Sequence, residues 1–244
     1  MTPLPPLAPN AWLRWDLVQR MLRRIGPVRS VLEIGVGQGG FAARLATGLE
    51  SYIGYAPDQD AWLIASKRLS DIASARVLNA CLPEGPLFHA DLICAFEVLE
   101  HVGDDVQVLK QWGEWLAPNG VMMISVPSRP QSFGHWDVAV GHYRRYTADQ
   151  LERLFYQAGL KDVEVRGYGF PLGLLLDLVR NRVLSISAAG SCEHRTSRSG
   201  RLYQPATATA PLLQATMMPF RLLQRLWSES DLNTGLVAVG RKPT

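Results

Sequence analysis

The sequence predicts an α/β protein: a mostly parallel sheet with helices on both faces and a helical insertion before the last strand. Three observations carry this. Short apolar runs alternate with amphipathic stretches from residue 11 onward. A glycine-rich loop, Glu33-Ile34-Gly35-Val36-Gly37-Gln38-Gly39-Gly40, joins an early apolar run to the stretch after it. The alternation then breaks for roughly 65 residues, too long for a structureless loop in a compact domain.

The elements follow in order. Residues 1–10 are proline-rich and read as an unstructured lead. Residues 11–25 place Trp12, Leu13, Trp15, Leu17, Val18, Met21, Leu22 and Ile25 on a helical stripe, with Arg14, Arg20, Arg23 and Arg24 outside it. Gly26-Pro27 ends that helix. Strands are predicted at 30–34, 51–55, 75–78, 90–96 and 121–126, and helices at 40–49, 60–72 and 104–116. Thr147 with Gln150 three residues on forms a capping box, which opens a helix running to Ala158-Gly159. Strands at 161–166 and 235–240 complete the core. The organisation is thus a lead at 1–10, a core at 11–167 and 233–244, and an insertion at 168–232. Within the insertion, 171–186 and 211–227 read as helical, and 188–210, rich in Gly, Ser, Thr, Ala and Arg, as mobile. The insertion is expected to be a lid over the functional face.

Composition narrows the class. A hydrophobic share of 47% with 19% charged residues supports a sizeable core. A net charge of only +3 gives no polyanion-binding signature, which argues against a nucleic-acid partner. Cys81, Cys94 and Cys192 match no disulfide framework or zinc spacing, so a reducing cytoplasm is expected. The N-terminus lacks the pattern of a signal peptide, and no apolar run is long enough to span a bilayer.

Strand, glycine loop and helix together suit a ligand approached by the backbone. Gly35, Gly37 and Gly40 also satisfy the dinucleotide pattern. That pattern calls for an acidic ribose ligand about 20 residues on, where Ala56 stands. The stretch Val31-Leu32-Glu33-Ile34-Gly35-Val36-Gly37-Gln38-Gly39 resembles motif I of class I S-adenosylmethionine-dependent methyltransferases. Asp91 to His101 is similar to the fourth-strand region of the type-11 and type-23 members. Trp115 to Pro127 is similar to the turn into their fifth strand, and His142-Tyr143-Arg144-Arg145-Tyr146-Thr147 extends the match.

The resemblance implies a Rossmann-like sheet whose last strand is antiparallel, with S-adenosylmethionine as cofactor. It implies that Glu33 lies near the methionine end and that Gly35, Val36, Gly37 and Gly39 form the loop. Tyr55, Ala56 and Asp58 then belong to the ribose side, Asn79 to the adenine side, and Phe96 and Glu97 to the end of the fourth strand. At Ala56 the family usually has a carboxylate. Asp58 either takes over that role or caps the next helix.

Methyl transfer from a sulfonium needs alignment and exclusion of water, and a base where the nucleophile arrives protonated. Glu97, Glu100, His101, His135, Asp137, His142, Tyr143 and Tyr146 are the candidates, with His142 and then His101 preferred as catalytic. Glu97, Glu100 and His101 resemble a magnesium-binding run of quinone-biosynthesis and small-RNA methyltransferases; magnesium is the less favoured reading. Arg144 and Arg145 either grip an anion or pair with Glu97 or Glu100. The expected function is methyl transfer to a small-molecule acceptor, apolar or anionic, on a hydroxyl oxygen. The alternatives are a non-catalytic accessory subunit and an RNA methyltransferase. Leucines 174–176 and 178 of the insertion also suit a weak peripheral membrane contact.

Overall fold

The computed structural model describes residues 4–187 and 210–244. Its elements are α1 (Pro9–Ile25), β1 (Ser30–Ile34), α2 (Ala42–Leu45), β2 (Ser51–Tyr55), α3 (Gln59–Leu69), β3 (Ala75–Leu78), β4 (Ala90–Phe96), α4 (Asp105–Glu114), β5 (Leu116–Pro127), α5 (His135–Val140), α6 (Ala148–Gln157), β6 (Lys161–Tyr168), α7 (Leu172–Ser187), α8 (Ala210–Leu223) and β7 (Gly235–Arg241). The seven strands form one sheet in the order β3-β2-β1-β4-β5-β7-β6. The pairs from β3 to β5 are parallel, while β7 runs antiparallel to both β5 and β6.

Strict alternation along the central strands sends successive side chains to two cores. Val31, Leu92, Cys94, Met123 and Val237 join Leu13, Leu17 and Val18 of α1 on one face. Leu32, Ile93, Ala95, Ile124 and Ala238 join Leu109 and Trp112 of α4 and Leu151 and Phe155 of α6 on the other. Each fully buried aliphatic side chain contributes about 1.5–3 kcal/mol, so both helical layers are held by the same sheet. From β1 the chain proceeds outward through β2 to β3, then returns to the other side of β1 for β4. That reversal leaves a crevice at the carboxyl ends of β1 and β4.

Several boundaries differ from the sequence expectation. The helix expected at 40–49 is only the four residues of α2. The turn at Pro118-Asn119-Gly120 lies inside β5, where a register shift between Ala90 and Leu92 absorbs it and Asn119 adopts a φ of 61°. Within the expected lead, Pro5, Pro6 and Leu7 are buried and α1 already starts at Pro9. Arg44 Nη2 donates to Pro5 O at 2.8 Å and fastens this segment. The insertion contributes α7 and α8, while the stretch expected to be mobile lies mostly outside the described residues. Asp16, buried in α1, accepts from Arg225 at 2.6 Å and Gln224 at 3.3 Å, and lies 3.3 Å from Arg20 and 3.5 Å from Arg221. A carboxylate so surrounded ties α1 to the chain beyond α8. Among the described residues, no helix is long and apolar enough to cross a membrane.

Candidate active site

Glu33 sits one residue before the end of β1 and is 2% exposed. Its Oε2 accepts from the Tyr52 hydroxyl at 2.7 Å. Burial pushes its carboxyl up to about 8, against the opposing pull of Tyr52 and Arg14. After it, Gly35, Gly37 and Gly39 adopt φ values of 75°, 54° and 78°. At Gly35 a Cβ would meet Val98 Cγ2 at 2.5 Å, whereas at Gly37 nothing lies within 4 Å. Gly35 is therefore required by handedness and packing together, and Gly37 by handedness beside open space. The helix that this loop opens has only four residues and so little dipole to offer a ligand.

The loop faces a cavity of about 500 Å³. Glu33, Gly35, Val36 and Gly37 line it on the β1 side, and Phe96 and Glu97 at the end of β4. Residues 6–11 and Arg14 close a further side. Glu97 holds a left-handed φ of 57°, uncommon for a residue with a side chain. Its Oε1 lies 3.1 Å from Arg14 Nη1 and accepts from Ser125 Oγ at 3.1 Å and from the Tyr168 hydroxyl at 3.3 Å. Glu97 is thus committed to Arg14 rather than grouped with His101.

Tyr55, Ala56, Asp58 and Asn79 are outside the cavity lining. Tyr55 and Ala56 are buried. Asp58 accepts from Ala61 N at 2.8 Å and caps α3, the second of its two expected roles. Asn79 Nδ2 donates to Ala56 O at 2.9 Å and to Pro57 O at 3.2 Å.

His101 and His142 also line the cavity, their rings 4.7 Å apart and edge to face. His142 Nδ1 lies 2.8 Å from Asp137 Oδ1, and Nε2 lies 3.7 Å from Glu100 Oε1. His101 Nδ1 meets Gly141 O at 3.2 Å; burial, then the neighbouring His142, lowers its pKa. Glu100 is fully buried, and neither carboxyl oxygen has a hydrogen-bond partner. Burial, reinforced by Glu97, pushes its pKa well above the usual carboxylate range. Donor atoms of Glu100, His101 and His142 all lie within 4.8 Å of one another. A metal ion would therefore draw on His142 in place of the expected Glu97.

Arg144 pairs with Asp105 at 2.9 Å and Arg145 with Asp137 at 2.8 Å, so both are bridged by aspartates and neither by Glu97 or Glu100. His135 and Tyr143 are exposed and outside the cavity lining, and Tyr146 is buried against Asp105 at 3.2 Å. Sequence reasoning missed Arg14, Trp136, Tyr168 and Thr234, all of which line the cavity. For Arg14 a signal was present: bulky apolar residues stand on both sides of it in α1, as expected for a helix buried on more than one face.

A family described as "Methyltransferase domain" matches residues 9–165. A probable S-adenosylmethionine-dependent methyltransferase of Mycobacterium tuberculosis is 32% identical over 165 residues, covering 65% of this chain and 58% of that protein. The match thus spans less than two thirds of the relative's length. Among solved structures, phosphoethanolamine N-methyltransferase 2 of Haemonchus contortus, in complex with S-adenosyl-L-methionine, has a TM-score of 0.59 at 20% identity, covering 94% of this chain and 53% of that one. The N-methyltransferase NodS of Bradyrhizobium japonicum, in complex with S-adenosyl-L-homocysteine, has a TM-score of 0.57 at 16% identity, covering 95% and 86%. Both share this Rossmann-like fold.

Proposed function

From the premise that the chain belongs to the methyltransferase domain family, we propose that it transfers a methyl group from S-adenosylmethionine to a hydroxyl oxygen of a small-molecule acceptor. The observation that carries this reading is Glu33: a carboxylate buried at the end of β1, with one hydrogen-bond donor, beside open space at Gly37. Such a group is costly to ionise alone and favourable to ionise against a cation. It suits the ammonium end of the cofactor, whose sulfonium carries the methyl group when bound. Gly37, with open space where a Cβ would stand, permits close backbone approach, and Gly35 and Val36 line the same wall; Gly39, outside the cavity lining, packs the loop against Ala65 of α3. Phe96 and Glu97 belong to the same side. Tyr55, Ala56, Asp58 and Asn79 belong to the nucleoside side, where Ala56 stands at the position of the family's usual carboxylate and Asp58 caps α3.

His142 is the base. Asp137 holds its Nδ1 edge, and Nε2 takes the acceptor's proton. His101 packs against that ring and shapes the wall. Phe41, Phe96, Trp136 and Val140 make the remaining lining largely apolar, which excludes water. The cavity's guanidiniums are paired: Arg14 with Glu97, Arg145 with Asp137 and Asp177, and Arg180 with Asp177. That neutralisation favours an uncharged, partly apolar acceptor over an anionic one. Free Cys81 and Cys94 suit the cytoplasmic setting expected from composition.

The unpartnered oxygens of Glu100 favour one second reading, in which a cation sits between Glu100, His101 and His142. Two imidazoles and one carboxylate suit a transition metal better than magnesium. Transfer of labelled methyl groups to a panel of alcohols, with and without added manganese or zinc, tests both readings. Turnover of alcohols without metal supports the base. Turnover only with metal supports the cation. Transfer confined to amines contradicts both.

A further inference from the structure

His142 is held from one side. Its backbone N–H donates to Asp137 O at 2.8 Å, and its Nδ1 lies 2.8 Å from Asp137 Oδ1. Asp137 is fully buried. Its ion pair with the equally buried Arg145 guanidinium keeps the carboxyl ionised. Arg145 Nε donates to the same Oδ1 at 2.8 Å, and Gly134 N to Oδ2 at 2.9 Å. An ionised carboxylate only accepts, so a contact of this length places a proton on Nδ1. The lone pair of the neutral ring then belongs to Nε2, on the edge toward Glu100.

Arg145 does not stop at Asp137. Its side chain is 1% exposed, and its Nη1 lies 3.4 Å from Asp177 Oδ2 on α7. The other oxygen of Asp177 takes Arg180 Nη2 at 2.8 Å. The Arg180 guanidinium lies 4.5 Å from the ring centre of Trp136, the residue before Asp137. Asp137, Arg145, Asp177, Arg180 and Trp136 thus form a closed chain of contacts between α5 and α7, with His142 attached at Asp137. Fastening two helices would not require one oxygen of Asp137 to serve His142 and Arg145 together.

We propose that Asp137 is a positioning residue that fixes His142 with its proton on Nδ1 and its lone pair on Nε2, and that Arg145 makes this arrangement depend on Asp177 of α7. Helix α7 then does more than line the cavity: with α7 docked, the imidazole is set for its partner. The inference deepens the assignment of His142 and rests on it. It holds whether Nε2 meets a proton or a cation, because a carboxylate on the remote nitrogen sets the tautomer in both cases.

The test needs no turnover, so it separates from the methyl-transfer reading. Long-range proton–nitrogen spectra of the full-length, nitrogen-15-labelled protein are recorded at a pH where the His142 ring is neutral, with His142→Gln providing the assignment. The expected wild-type result is a protonated, pyrrole-type Nδ1 and a pyridine-type Nε2. A wild-type ring protonated at Nε2 overturns the proposal, and this reading stands even if a variant fails to fold. Asp137→Asn is expected to shift the ring to the Nε2–H form favoured in water; an unchanged spectrum overturns the positioning role. Asp177→Asn is expected to give both tautomers, and a spectrum identical to wild type overturns the dependence on α7.

Discussion

The guanidinium of Arg14 lies 3.1 Å from the carboxylate of Glu97, and this contact fastens the first helix to the end of β4. Arg14 also donates to Ser125 at 3.2 Å and stacks over Phe41 at 5.3 Å. It is the cation set among Glu33, Glu97 and Glu100. Replacing it with Met keeps most of the packing and leaves Glu97 in a left-handed backbone conformation without its ion-pair partner. Arg14→Met is expected to lower stability by about 2 kcal/mol, the scale of a hydrogen bond to a charged group. Urea denaturation reads it. A change within about 0.5 kcal/mol would show that solvent replaces the pair.

Glu33 supplies a pH dependence with a definite sign. Its pKa in the folded protein, about 8, lies above the ordinary value of 4.5. Between those values the folded chain binds more protons than the unfolded one, so this group's contribution is full below about 4.5 and is lost as pH rises to about 8. Glu33→Gln is expected to remove that downward slope while keeping an acceptor for Tyr52. Affinity for a cationic ligand should run the other way, rising with pH until Glu33 is ionised. Parallel stability–pH curves for wild type and Glu33→Gln would refute the assignment.

Asp58 caps α3 in this structure. Asp58→Ala is expected to cost about 1 kcal/mol of stability and Asp58→Asn much less, since Asn also caps. Cofactor affinity, read by calorimetry, should change by less than about threefold, or roughly 0.7 kcal/mol. A tenfold loss in both variants would return Asp58 to the ribose.

His142→Ala should leave cofactor affinity intact and reduce turnover of hydroxyl acceptors by about 100-fold or more. Steady-state kinetics on an alcohol that the wild type methylates checks this. Full turnover would remove His142 as the base.

Much of the framework was legible because it depends on local pattern. The strands at 30–34, 51–55, 75–78 and 90–96 are short, mostly apolar stretches between helical ones, and their limits coincide with β1 to β4. The loop from Glu33 to Gly40 was legible because handedness restricts Gly35, Gly37 and Gly39 whatever surrounds them. Less legible were features set by distant chain. Arg14 reads as a surface charge until β4 brings Glu97 beside it. Asp137 and Asp177 stand 40 positions apart in number and are brought together by Arg145. Asp58 left two readings because a cap and a ribose ligand call for the same residue type.

In the proposed function, Glu33 and the glycine loop hold S-adenosylmethionine. Calorimetric titration of the full chain with S-adenosylmethionine, beside the same titration of Glu33→Ala, tests it most directly. One site per chain is expected in the wild type, with at least about tenfold weaker binding in the variant, or about 1.4 kcal/mol. No binding by the folded wild type, or equal affinity in the two proteins, would contradict it.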